Sequence, residues 1–211
     1  SATVDLYAYL IDTDIRHTNF SESQMLGIDF TKVKDKNLEG TIFTDAQLTH
    51  VNLEGIDFSG KDLTMTNFAN SNLIGSDFSD NVIIHGVDFG GADLTNANFD
   101  GANLQPKKYH EILFENAAYL AELSYGELAQ ELLKSNTSRI ISTEVRENDL
   151  RVSFYLFNNF YDANLENTNF SNSNLRNNSF VNANLYNADL SGADLRSTNL
   201  TNADLDGANL T

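Results

Sequence analysis

The groups able to do chemistry in this chain of 211 residues are few in kind: 30 Asp and Glu carboxylates, four histidines and no cysteine. His17, His50, His85 and His110 lie far apart and in no ligand-spaced motif, so each reads as a solvated side chain rather than a metal ligand. The missing cysteine excludes a thiol nucleophile, a disulfide framework and a cysteine-based zinc site. A carboxylate pair such as Asp57 and Asp77 could do general acid–base work only inside a pocket that raises one pKa, and no such pocket is predicted. The stretch Phe89-Gly90-Gly91 lacks the Lys-Ser/Thr of a phosphate loop, and nothing suggests a nucleophilic triad. The expectation is a protein that is no enzyme and holds no cofactor and no metal.

Charge narrows the partners. A net charge of -17 argues against direct nucleic-acid binding, because affinity for phosphates comes from Lys and Arg releasing counterions. It suits a basic partner or simple solubility instead. Residues 1–104 hold 16 acidic and 5 basic side chains, a net of -11, whereas 105–149 and 150–211 each contribute -3. No run approaches the roughly 18 apolar residues of a membrane span, so no membrane partner is expected. The start SATVDLY has no basic region followed by an apolar core, and the cytoplasm is the favoured compartment.

What must position these side chains is a period of five. From Leu150 a large apolar residue recurs at Tyr155, Phe160, Leu165, Phe170, Leu175, Phe180, Leu185, Leu190, Leu195, Leu200, Leu205 and Leu210. Two residues before most of them stands something small, and one before is usually Asn or Asp. A period of five fits neither the alternation of a strand nor the 3.6 of a helix. The chain must therefore turn regularly and bury each apolar residue by stacking on neighbouring units, as a solenoid does. The same period runs from Leu10 to Phe30, re-phases over Thr31–Lys36, continues from Leu38 to Phe78, slips by one residue at 79–85 and resumes from Ile84 to Leu104.

Units such as ADLTN, ANFDG, ANLEN, TNFSN, ANLYN, ADLSG and ADLDG resemble the consensus of the pentapeptide repeat proteins. The resemblance implies a right-handed quadrilateral β-helix in which four units make one square coil, with the central residue and the small one pointing inward. Centres ten residues apart then lie on opposite walls, so Phe58, Phe68, Phe78, Phe89 and Phe99, and again Phe160, Phe170 and Phe180, should fill two facing walls. Leu185, Leu190 and Leu195 complete the expected core. Lys36 and Lys61 occupy positions that should be small, which predicts a distorted wall or an outward lysine. Asx before each centre is expected to satisfy backbone groups left unpaired by the turns.

Between the blocks the character changes. In 107–134 the spacing of Tyr109, Ile112, Leu113, Ala117, Leu120 and Leu123, then Leu128, Ala129, Leu132 and Leu133, predicts an α-helical hairpin, with Pro106 at its first position and Ser124 and Glu127 as a capping box. The expected organisation is a β-helix over 1–104, a helical insertion over 105–137 and a second β-helix over 138–211, with weak units centred on Ile140 and Val145. The insertion either caps or joins the solenoids, or it projects as a recognition element.

Function is expected in the interruptions, because recognition concentrates in excursions from rigid scaffolds. The candidate interaction residues are Lys34, Asp35, Asp57, Asp77, Asp80, His85, Glu111, Glu115, Tyr119 and Glu122. The favoured reading is a scaffold for an unidentified protein partner. The alternative follows from the resemblance: some family members occupy the DNA-binding saddle of type II topoisomerases and confer quinolone tolerance, which would make DNA gyrase or topoisomerase IV the partner. An open apolar bore at the last coil also predicts either that residues beyond 211 were removed or that the ends stack into an end-to-end homodimer.

Overall fold

The computed structural model describes residues 10–36, 38–44, 46–110, 138–146 and 149–211. Parallel bridges fix the winding: Asn52 pairs with Asn72, Asp57 with Asp77, Asn159 with Ser179 and Asn184 with Asp204, each 20 residues on. Four five-residue units therefore close one coil. Across Thr31–Lys36 the offset is 23, as in Asp29 with Asn52, and across 79–85 it is 21, as in Asn72 with Asp93. Each slip adds its extra residues to one coil and leaves the walls aligned.

Three positions in every unit explain the square. The Asx before the centre accepts the N–H two residues on, as Asp57 does from Ser59 at 2.7 Å and Asn169 from Ser171 at 2.9 Å. Where the small position is Ser or Thr it can lend a hydroxyl to the coil below: Thr66 to the Phe43 carbonyl at 2.9 Å, Ser71 to that of Leu48 at 2.7 Å. Two residues after the centre the backbone turns left-handed, with φ of 58° at Asn70, 60° at Asn96 and 65° at Gly40. Asn and Gly are the residues that tolerate this. At Gly40 the need is also steric, since a Cβ would lie 2.2 Å from Nδ1 of His17.

The core is a double column of rings. Phe58, Phe78, Phe99 and Phe170 stack on one wall, with centroids 4.9, 4.6 and 4.8 Å apart. Phe68, Phe89, Phe160 and Phe180 stack on the facing wall at 5.7, 4.9 and 4.5 Å. Between the columns neighbouring rings meet edge to face, Phe99 against Phe160 at 6.1 Å and Phe160 against Phe170 at 6.0 Å. All eight are fully buried, as are Leu185 and Leu190, while Leu195 in the last coil is only partly covered. Stacking along a column and edge contacts across it are the two favoured aromatic geometries, so ring follows ring without a void.

The two repeat blocks make one stack. Asp88 pairs with Asn159, Asp93 with Asn164 and Asn103 with Asn174. Partners are 71 apart here against 20 in the coils above, so the excursion inserts 51 residues, and Phe160 is the centre that follows Leu104. Two buried asparagines seal the splice. Asn158 and Asn178 both donate Nδ2 to the Leu104 carbonyl at 2.9 Å, Asn158 Oδ1 accepts from Val87 N–H at 3.1 Å, and Asn178 Oδ1 accepts from Asn158 N–H at 3.0 Å. Amides stand where the small residue belongs because the departing chain takes away the turn that would have satisfied that carbonyl.

The excursion differs from the helical expectation where it is described. Lys107–His110 is a strand, β1, and not the start of a helix after Pro106. Ser138–Arg146 forms β2 and Asp149–Leu156 forms β3, so Ile140, Val145, Leu150 and Tyr155 are not coil centres. The order is β1-β3-β2, with both outer strands antiparallel to β3. Hairpin pairing from Arg146 with Asp149 to Ser138 with Leu156 gives these residues a partner at hand, and that overrides their five-residue phase. The remainder of the expected hairpin, 111–137, lies outside the described residues.

Phe99→Ala removes a ring that touches both columns and is expected to cost about 3–5 kcal/mol in equilibrium denaturation. Asn158→Ala strands Val87 N–H in the core and should cost about 1–3 kcal/mol for the lost acceptor, measured the same way.

Candidate interaction surfaces

Two of the carboxylates expected to recognise a partner, Asp57 and Asp77, belong to the turns. Asp57 and Asp77 lie one coil apart in register on one wall, as the period requires. Each spends Oδ1 on its own turn, and Asp77 also accepts from Ser79 Oγ at 2.7 Å and Asn98 Nδ2 at 3.1 Å. Their outer oxygens still face solvent, and with Asp80, Asp100 and Asp189 they make the wall of Phe58, Phe78, Phe99, Phe170 and Leu190 acidic. Asx columns run up the other walls too, with an amide donating to the acid or amide below, as Asn164 Nδ2 to Asp93 at 3.1 Å and Asn184 Nδ2 to Asn164 at 2.9 Å. These ladders bind coil to coil.

His85 sits at the one-residue slip, half-buried, and among the described residues its Nδ1 has no hydrogen-bond partner. Burial, then the Lys107 ammonium at the root of the excursion, push its pKa down, against Asp62 and a backbone hydrogen bond. A neutral imidazole there is poorly suited to binding anions. Nearby, Ile42 and Ile83 stand where Asx is usual and are 45% and 42% exposed, on either side of Asp62 in one column.

Lys34 and Asp35 are exposed on the excursion Thr31–Lys36, where Asp35 and Lys36 take left-handed φ of 55° and 49°. Lys36 turns outward and donates Nζ to the Glu54 carbonyl at 2.9 Å. Beside it a cavity of about 620 Å³ opens, lined by Asp35, Lys36, Leu38, Asp57, Ser59 and Lys61 among others. This concentration of groups is not evident from the period; its signal is the pair of lysines in positions that should be small. Glu111, Glu115, Tyr119 and Glu122 lie outside the described residues.

A second charged cluster escapes the period altogether. Arg196 donates Nε to Asp194 Oδ1 at 2.8 Å, Arg176 approaches the same carboxylate at 3.8 Å, and the Arg196 hydrogen bond brings the Asp194 pKa down to about 2. Asp14 is likewise held well below the usual carboxylate range by its hydrogen bonds from Arg16. Both clusters are exposed and hold local geometry more than stability. Among the described residues no group of three or more His, Asp or Glu is placed to hold a metal, and no helix is long and apolar enough to cross a membrane.

No curated protein matches the sequence. Among solved structures the chain is similar to HetL from the cyanobacterium Nostoc, a pentapeptide repeat protein involved in heterocyst differentiation regulation, at 20% identity over 92% of this chain and 72% of that one, with a TM-score of 0.21. It is similar to a trypsin-treated form of QnrB1, a plasmid-mediated fluoroquinolone resistance protein, at 16% identity over 95% and 86%, with a TM-score of 0.32. A pentapeptide repeat protein of the Arabidopsis thaliana thylakoid lumen matches at 23% identity over 46% and 74%, with a TM-score of 0.22. The family model described as pentapeptide repeats in eight copies matches residues 31–60, 41–80, 81–105, 159–196 and 180–211, more than half of the chain. The coil is thus the right-handed β-helix of these repeats, and the chain belongs to the pentapeptide repeat family.

Proposed function

We propose that this chain is a non-enzymatic scaffold for protein–protein interaction. The observation that carries the reading is the splice. An excursion of 51 residues leaves and re-enters one coil, yet the rings of Phe89 and Phe99 continue into Phe160 and Phe170 as though nothing intervened. A rod whose core is indifferent to what it carries can present that excursion, and its acidic walls, at fixed spacing. Rigid presentation lowers the ordering cost of binding.

The acidic wall of Asp57, Asp77, Asp80, Asp100 and Asp189 supports a second reading, a mimic of DNA that occupies DNA gyrase or topoisomerase IV. Its outward positions hold no Lys or Arg, and its rise of about 4.8 Å per coil sets charges along a straight, stiff edge.

Joining Pro106 to Asn158 deletes the excursion and leaves the five-residue phase intact. The shortened chain is expected to keep its β-helical circular dichroism and to lose the partner that the full chain captures; equal capture by both would assign binding to the walls. In a gyrase supercoiling assay, an unchanged rate at micromolar chain removes the mimic.

A further inference from the structure

In the described coils the residue before a centre is Asp, Asn, Gln or Ser, with two exceptions, Ile42 and Ile83. Both exceptions fall on one wall, that of Phe43, Leu63, Ile84 and Leu104. Asn19 pairs with Ile42 below and Asp62 with Ile83 above, while Thr44 Oγ1 reaches the Asp62 carbonyl at 3.5 Å between them. Asp62 therefore stands midway between the two isoleucines in a single outward column.

The rod gains nothing from either isoleucine. The Asp62 carboxylate accepts Thr64 N–H at 2.9 Å, but an isoleucine accepts nothing, so the N–H groups of Thr44 and His85 have no acceptor among the described residues. Burial does not compensate, because Phe43, Leu63 and Ile84 fill the bore while Ile42 and Ile83 remain nearly half exposed. Positions that break a local rule without a gain inside the fold are where function is expected.

We propose that Ile42, Asp62 and Ile83 form the docking face for a basic amphipathic helix laid along the rod. The spacing selects a helix. Two coil rises put the isoleucines roughly 10 Å apart, and helix positions i and i+7 lie about 10.5 Å apart on one face, with i+3 and i+4 between them. Along a strand, residues on one face recur every ~6.6 Å, which matches neither one coil rise nor two. The charge selects a basic residue at the middle. Among the described residues no ion pair reaches the Asp62 carboxylate. Lys61 lines the cavity beside Asp57 on the neighbouring wall. In the adjoining column of Thr44, Thr64 and His85, burial and then the Lys107 ammonium favour the neutral imidazole. A second copy turned about a two-fold axis through the face would set Asp62 against Asp62, so charge disfavours it. The stretch 111–137 holds five Glu against one Lys, which disfavours it as well. The inference goes beyond the scaffold reading, since it concerns neither the excursion nor the acidic wall of Asp57 and Asp77, and a peptide tests it whether or not those bind a partner.

The probe is a labelled Ala-Gln helix of about 18 residues, long enough to form in water, with two Leu seven places apart and Lys at the third and fourth places between them. It is titrated into the full chain by fluorescence anisotropy, beside one peptide with Glu for Lys and another with the second Leu moved two places, off that face. The first peptide is expected to bind saturably and both others at least tenfold more weakly. Asp62→Asn keeps the acceptor for Thr64 and should weaken binding of the Lys peptide at least threefold. Ile42→Asn with Ile83→Asn restores the repeat, and should leave the thermal midpoint unchanged or higher while weakening binding at least tenfold. No binding, equal binding of either comparison peptide, or undiminished binding to either variant overturns the proposal. So does a lower midpoint for the double variant, which would mean that the isoleucines serve the rod itself.

Discussion

Everything in this molecule depends on closing a square coil in twenty residues while leaving no backbone group unpaired. Strand segments of two or three residues cannot do this by ladder bonds alone, since each corner strands an N–H and a carbonyl. The corner is solved locally: an Asx side chain takes the first N–H, a left-handed residue turns the chain, and the small residue tucks under the next wall. With corners self-sufficient, coils meet only through parallel bonds and stacked rings, so one coil's fate is decided by its two neighbours.

That near-neighbour economy explains why the rod tolerates three very different interruptions. One extra residue at 79–85 is absorbed with the bonds to the preceding coil kept, as Leu63 N–H to Ile83 O at 2.9 Å and Ile83 N–H to Lys61 O at 2.8 Å. Fifty-one residues between Leu104 and Phe160 are absorbed because Asn158 and Asn178 replace the turn that was lost. Three residues at Thr31–Lys36 are absorbed with Asp29 still in register with Asn52. Interruptions of one, three and fifty-one residues are all tolerated where the coils on either side keep their register.

Charge follows the same division of labour. Carboxylates one position before a centre are turn residues first, and their exposed oxygens become an acidic wall only as a by-product of the repeat. Amide over acid in the Asx columns converts what would be like-charge repulsion at 4.8 Å or so into a hydrogen bond. Among the described residues Asp57 with Asp77 is the register pair in which both members are acids.

The sequence by itself determined the coil. Its period and the Asx before each centre dictated regular turns, and the resemblance of its units to the pentapeptide consensus implied the square on which Phe at alternate centres makes two ring columns, because the pattern is set within a unit and repeated. The oddity of Lys36 and Lys61 was legible too, as a departure from smallness. What only the tertiary structure decided are matters of pairing between distant segments. Local spacing around Tyr109 reads as helix, yet Lys107–His110 pairs with β3 some 45 residues later. Leu150 and Tyr155 keep the five-residue phase, yet a hairpin partner claims them first. That two blocks form one stack and that two asparagines mend the join both depend on which coil lies above which. A repeat fixes what each unit wants; only the stack decides where it is denied.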